Sequence, residues 1–305
     1  MYDLYQGASI GPYPYHIIHR LGGGPSGMAE VYLANVHKEY QSKQGTPKVV
    51  LKIAATEKIE TNNRSIRNEE EFLPRLDHAG IVRILPILSV DVSRGVLGYR
   101  ARSMLPGEPW FCVFEYIPGY SCAEWVHRSR WRIRTHFAIN LMSGIAEALQ
   151  YLHERQIVHL DVKLSNILLR KAKFYQEITP VLIDFGICRK FGQRSSSGTA
   201  KYMAPERGTG SKEYIAEPSM DAYSLGIVMQ ELLNLTSPST QMDLVKPANT
   251  LLAQDANQTV RNVLHEIVFS MLDNDPQRRP DIATILVRLG ALKERLKFYH
   301  RLWRA

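Results

Sequence analysis

The stretch VHLDVKLSNILL, residues 158 to 169, brings His159, Asp161, Lys163 and Asn166 into one short loop. A carboxylate there can orient an attacking hydroxyl, a lysine can carry charge onto a transferring phosphoryl group, and an amide oxygen is a hard ligand of the kind magnesium prefers. Asp184 in LIDFG, after a β-rich run, is a second hard ligand. Further upstream, VVLKIA sets Lys52 on an expected strand, where it needs an acidic partner on the next helix. Glu69 is the best placed, with Glu70 and Glu71 as alternatives of register. The glycine-rich LGGGPSGMAEVYLA lies between two expected strands, so its backbone amides could cover phosphate oxygens. Taken singly these features are weak, since glycines make turns and lysines sit on surfaces. Their joint order along one chain points to phosphoryl transfer.

The elements that must position these groups fall into two blocks. From residue 15 to about 113, YHIIHRL, AEVYLANV and PKVVLKIA are rich in β-branched and aromatic residues, with Gly or Pro at the breaks. One helix interrupts them, NNRSIRNEEEFLPRL, which Pro74 should kink or end because proline lacks the amide and clashes with the preceding turn. DVSRGVLGYRARSMLPGEP reads as a hairpin with an extended connection. After VFEYIPGY the periodicity turns helical. Met142, Ile145, Leu149 and Leu152 form one apolar stripe, and DAYSLGIVMQELLNL and VRNVLHEIVFSML behave likewise. A strand-rich part thus precedes a helix-rich part, as expected of two lobes with a cleft between them. Residues 1 to 14, rich in Gly, Pro and Tyr, read as an extended arm.

At 305 residues, with 45% hydrophobic and 22% charged, the composition is that of a soluble globular protein. The net charge of +8 is more simply an aid to solubility than a nucleic-acid footprint, and no specific nucleic acid is expected as partner. Cys112, Cys122 and Cys188 have neither metal-ligand nor disulfide-framework spacing, which suits a reducing compartment. Without a signal-like start or a run of about 18 apolar residues, the expected location is cytoplasmic.

With these motifs in hand, the chain resembles a eukaryotic-like (Hanks-type) serine/threonine protein kinase, similar to bacterial members. The resemblance implies an α+β, bilobal protein-kinase-like fold over residues 15 to 290, with a β-rich N-lobe to about 116 and a helical C-lobe from 117. It implies ATP and Mg²⁺ or Mn²⁺ as cofactors, and protein substrates with the chain itself among the candidates. Lys52 would meet the α/β-phosphates with Glu69 as partner, Asp161 would be the catalytic base, Asn166 and Asp184 the metal ligands, and Lys163 would sit at the γ-phosphate. FEYI would be the hinge, with Phe114 as gatekeeper and Glu115 and Ile117 offering backbone groups to adenine. Val31, Val50 and Leu168 would sandwich the base, with Leu21, Gly22, Gly24 and Gly27 in the covering loop. GTAKYMAPE resembles the end of an activation segment, with Thr199 near Asp161 and Lys163, and Glu206 available to Arg279. Asp221 in DAYSLG matches the helix aspartate that braces the catalytic loop. A scaffold that binds partners without transfer and a small-molecule phosphotransferase are the alternatives. The charged set argues against the first, MAPE and DAYSLG against the second.

The chain departs from the family pattern in four respects. The glycine loop is about two residues longer than usual and has Ala29 at its last glycine position, which leaves the identity of the phosphate-touching glycines open. Val50 stands where alanine is common. Ser121 and Ser165 stand where arginine-directed relatives carry acids. Leu160 replaces the arginine that in many relatives binds a phosphate on the activation segment. The loop is therefore expected to be catalytic but less dependent on that phosphate. Finally, LGALKERLKFYHRLWRA, taken as a basic amphipathic helix over 291 to 305, places Leu289, Leu292, Leu296, Tyr299 and Trp303 at helical spacing. Packing on the large lobe is its simpler role, a membrane or partner surface the other.

Overall fold

The computed structural model describes residues 2, 4–23, 28–55, 59–91, 95–128, 135–171, 178–208, 213–233 and 258–302. The chain divides into two compact units. One comprises Met1–Asp77, Ile81–Pro118 and Asp184–Ile187, the other His78–Gly80, Gly119–Ile183 and Cys188–Ala305.

The first unit is built on a six-stranded antiparallel sheet. It contains β1 (Tyr15–Gly22), β2 (Ala29–Val36), β3 (Lys48–Ala54), β4 (Ile84–Leu85), β5 (Ala101–Arg102) and β6 (Trp110–Glu115), in the order β1-β2-β3-β6-β4 with β5 also on β6. Strand periodicity sorts its faces. Val49, Leu51 and Ile53 of β3 and Phe111 and Val113 of β6 enter the core with Tyr15, Ile17, Tyr32 and Ala34. The intervening Val50 and Lys52 therefore point the other way, opposite Phe114 and Cys112 of β6. The short helix α1 (Gln41–Gln44) joins β2 to β3, and α2 (Ile59–Phe72) packs against β3 and β6. Helix α2 stops where Pro74 enters a 3-10 turn, Leu73–Arg75.

The arm behaves otherwise than its composition suggests. Tyr2, Ala8, Ile10 and Tyr13 are buried in the sheet's core. The Tyr2 amide donates to Glu30 Oε1 (3.0 Å), and Tyr32 donates to Glu30 Oε2 (2.7 Å). Tyrosine carries enough apolar surface to pack and a hydroxyl to satisfy, so a Gly/Pro/Tyr segment can line a core as readily as leave it.

The second unit is helical: α3 (Cys122–Arg128), α4 (Thr135–His153), α5 (Pro218–Leu233), α6 (Gln258–Met271) and α7 (Ile282–Leu302). Ser121 caps α3, accepting from the Glu124 amide (3.2 Å) while Glu124 Oε2 accepts from the Ser121 amide (2.9 Å), a reciprocal capping box. Helix α4 is the unit's axis. Beyond the expected stripe it also buries Ala138, Ile139, Leu141, Ala146 and Ala148, because α5, α7 and the β8–β9 hairpin (Ile167–Lys171 and Ile178–Leu182) surround it. Helix α7 begins at Ile282, ahead of the boundary drawn at 291, and buries Leu289, Leu292 and Leu296. The side chains of Tyr299 and Trp303 lie outside the described residues. Three short strand pairs complete the unit's framework: β7 (Ile157–Val158) with β10 (Arg189–Lys190), and β11 (Arg194–Ser195) with β12 (Tyr214–Ile215), beside the hairpin. No described helix is long and apolar enough to cross a membrane.

Candidate functional site

In the sheet-bearing unit the charged groups meet on the face that β3 turns away from the core. Lys52 Nζ donates to Glu69 Oε1 at 2.7 Å and to Asp184 Oδ1 at 2.8 Å. Helical spacing decides among the three consecutive acids. Glu69 is buried, Glu70 turns aside to pair with Arg100 at 2.5 Å, and Glu71 is exposed. Glu69 Oε1 also accepts from the Phe185 amide (3.2 Å), and Asn68 donates to the Gly186 carbonyl (2.8 Å), so one turn of α2 grips the DFG segment. A Cβ at Gly186 would overlap Ser65 Oγ, so a larger residue there would force Ser65 to turn. Asp184 adopts φ 67°, a left-handed conformation that short polar side chains tolerate better than most.

Burial alone would lower the Lys52 pKa, but the adjacent Asp184 and Glu69 carboxylates outweigh it and hold the ammonium above its ordinary value. Burial pushes the Glu69 carboxyl up, and Lys52 pulls it back only in part. On the same sheet face Val31 lies opposite Lys52 in the β2–β3 register. Val31 and Val50 are each only half-buried, whereas Val49 and Leu51 are fully enclosed. Leu21 is exposed and Gly22 ends β1. Gly24 and Gly27 lie outside the described residues. Glu115 gives its amide to the Arg83 carbonyl (3.0 Å), and Ile117 follows as a buried residue.

In the helical unit the acidic loop is built from both sides. Leu160 sits at φ 66°, strained for a residue whose apolar side chain cannot bond its own backbone. Asp221, fully buried on α5, accepts from the His159 and Leu160 amides (both 2.8 Å) and from His153 Nε2 (2.9 Å). Burial alone would raise the Asp221 pKa, but the His153 bond and the charge of the two histidines hold it below the usual carboxylate value. Braced in this way, the loop presents Asp161. Its Oδ1 accepts from Thr199 Oγ1 (2.7 Å), and its Oδ2 accepts from Lys163 Nζ (2.7 Å) and Asn166 Nδ2 (2.9 Å). Lys163 donates to Thr199 Oγ1 as well (2.9 Å). The second Asn166 amide hydrogen goes to the Asp161 carbonyl (3.0 Å), so both N–H groups face Asp161 and the amide oxygen points elsewhere. Leu168, on β8, is half-buried between the buried Ile167 and Leu169.

The activation-segment residues are anchored too. Arg279, whose side chain is fully enclosed, forms a two-pronged pair with Glu206, Nη1 to Oε1 at 2.6 Å and Nη2 to Oε2 at 2.7 Å. Arg207, next to it, is also buried and reaches backbone carbonyls on two segments, a contact that no sequence motif announces. Among the described residues no group of three or more His, Cys, Asp and Glu side chains forms a metal cluster.

Comparison with known proteins agrees with this arrangement. The chain is 28% identical over 286 residues to the serine/threonine-protein kinase PrkC of Bacillus subtilis, a match covering 88% of this chain and 39% of PrkC. It is 27% identical to the probable serine/threonine-protein kinase PkwA of Thermomonospora curvata, over 91% of this chain and 34% of that protein. The chain thus spans little more than a third of the curated relatives it matches. The crystal structure of the Mycobacterium tuberculosis PknI kinase domain, as a C20A_R136N double mutant, shares the fold at a TM-score of 0.64 and 21% identity, over 95% of this chain and 99% of that one. Residues 15–288 match the protein kinase domain family, and on that match the chain belongs to it.

Proposed function

We propose that the chain is an active serine/threonine protein kinase, transferring the γ-phosphate of Mg·ATP to protein hydroxyl groups. The observation that carries this reading is the convergence of Thr199, Lys163 and Asn166 on the Asp161 carboxylate. Three donors fix its two oxygens where a hydroxyl proton can be accepted. Lys52, held by Glu69, takes the α/β-phosphates, and Lys163 takes the γ-phosphate. Asn166, through the amide oxygen its two N–H bonds leave over, and the carboxylate of Asp184 hold the metal. An all-oxygen pair suits magnesium, which when bound neutralises phosphate charge. Half-buried Val31, Val50 and Leu168 suit a flat apolar base, with Glu115 and Ile117 as its backbone partners. Three cysteines without bridges favour a reducing cytoplasm. Labelled ATP and a generic protein substrate test the reading. Label should enter serine and threonine in a Mg²⁺-dependent way, and no incorporation with either Mg²⁺ or Mn²⁺ would overturn it.

The finer part of the proposal concerns control. Leu160 is buried at 1% exposure, so it packs where an arginine would reach for phosphate. Ser195 is itself buried in β11, Ser197 is half-buried, and only Ser196 is exposed. Replacing Ser195, Ser196 and Ser197 together by alanine should therefore leave most of the activity. A rate loss beyond about tenfold, or about 1.4 kcal/mol of barrier, in both this variant and phosphatase-treated protein would establish a phosphate switch instead.

A further inference from the structure

Arg207 is 2% exposed, and among the described residues no carboxylate pairs with it. Burying a guanidinium costs several kcal/mol unless its donors are met. Here both Nη groups find acceptors, mainly on the main chain, whereas Nε is buried without a hydrogen-bond partner among the described residues. Nη1 donates to the Leu160 carbonyl (2.9 Å), Nη2 to the Ser197 carbonyl and to the Tyr214 hydroxyl. Tyr214 in turn donates to the same Ser197 carbonyl (2.5 Å), and the guanidinium lies 4.5 Å from its ring centroid, within cation–π range. Next to Ser197, Gly198 has φ 151°, and a Cβ there would strike the Arg207 guanidinium. The segment thus approaches as closely as a backbone can.

Both carbonyls belong to segments that matter to the proposed chemistry. Leu160 precedes Asp161, and Ser197 lies two residues before Thr199, whose hydroxyl bonds Asp161 Oδ1. The strained Leu160 is gripped at its N–H by Asp221 and at its carbonyl by Arg207. We propose that Arg207 is a positioning residue, a buried fork that ties the Asp161 loop to the Thr199 segment and so aligns them without any modification. This rests on the reading of Asp161 as the base. A lysine keeps the charge but lacks the planar fork needed to bond two carbonyls and stack on Tyr214 together.

The test uses the full chain as wild type, Arg207→Lys and Tyr214→Phe. Each is measured by thermal unfolding, by hydrogen exchange of residues 159–161 and 195–199, and by steady-state kinetics. Arg207→Lys should speed exchange in those two segments and lower kcat by about tenfold, with KM for ATP changed by no more than about twofold. Tyr214→Phe, the milder change, should move the same readouts in the same direction, and it decides the matter if Arg207→Lys fails to fold. Wild-type exchange and kcat in the variants would overturn the proposal. So would a loss of kcat and ATP affinity together with faster exchange throughout the helical unit, which is the mark of general destabilisation. A wild-type chain that transfers no phosphate would sink the reading of Asp161, and exchange in the two segments would still decide whether Arg207 ties them.

Discussion

Asp161→Asn is expected to lower phosphate transfer by about 10²- to 10⁴-fold, the range for removing a positioned acid-base group. The change is nearly isosteric, but a carboxylate that accepts from three donors becomes an amide with one accepting oxygen. In the wild type Thr199 serves Oδ1 while Lys163 and Asn166 serve Oδ2. Turned towards Lys163 and Asn166 the new NH₂ faces two donors, turned towards Thr199 it makes that hydroxyl accept instead of donate, and either way no group remains to take a hydroxyl proton. ATP binding, which the proposal rests on Lys52 and its partners, should persist, so the loss should appear in kcat. Single-turnover transfer of labelled phosphate, beside nucleotide titration, separates the two. Turnover at the wild-type rate would remove Asp161 from its role.

The groups proposed to react stand out in the sequence because each belongs to a local motif with fixed spacing. Asp161, Lys163 and Asn166 share one loop, and strand alternation alone turns Lys52 away from Val49 and Leu51. Glu69 was the best placed of three acids, but the sequence left Glu70 and Glu71 open as alternatives of register. Three consecutive acids differ by about 100° each around a helix, and only the docking of α2 on the sheet selects one. The burial of the arm was hidden for a related reason. Its tyrosines pack by tertiary contact, and Tyr2 meets Glu30 across 28 residues of sequence with no periodic pattern to announce it. Arg207 was invisible because, Tyr214 apart, its partners are carbonyls, 10 and 47 residues away, and a carbonyl has the same signature at every residue. The helix boundary drawn at 291 falls inside α7, which begins at Ile282 and runs through Gly290. There the burial of Leu289 and Leu292 outweighs a glycine's modest helix penalty.

The other large effect is expected of Lys52→Met. Loss of a preorganised cation at developing phosphate charge should reduce turnover by about 10²-fold or more. The same change strands Glu69, whose side chain is 1% exposed and whose carboxyl burial already pushes up. Breaking one side of a buried pair typically costs about 3–5 kcal/mol, and here a carboxyl can lessen the cost by binding a proton. The sign of the pH dependence follows. A carboxyl whose folded pKa lies above its unfolded value contributes fully below the unfolded value, and the contribution is lost as pH rises through the folded one. Without Lys52 the Glu69 pKa should climb further. The deficit in Tm of Lys52→Met against wild type should therefore be small in acid and widen towards neutral and alkaline pH. Adding Glu69→Gln removes the titrating group, so the double variant should flatten that pH dependence without restoring transfer. Lys52→Met binding and turning over ATP as wild type does would end both the assignment of Lys52 to the phosphates and its pairing with Glu69. A Tm deficit independent of pH would show that Glu69 is not the charge left behind.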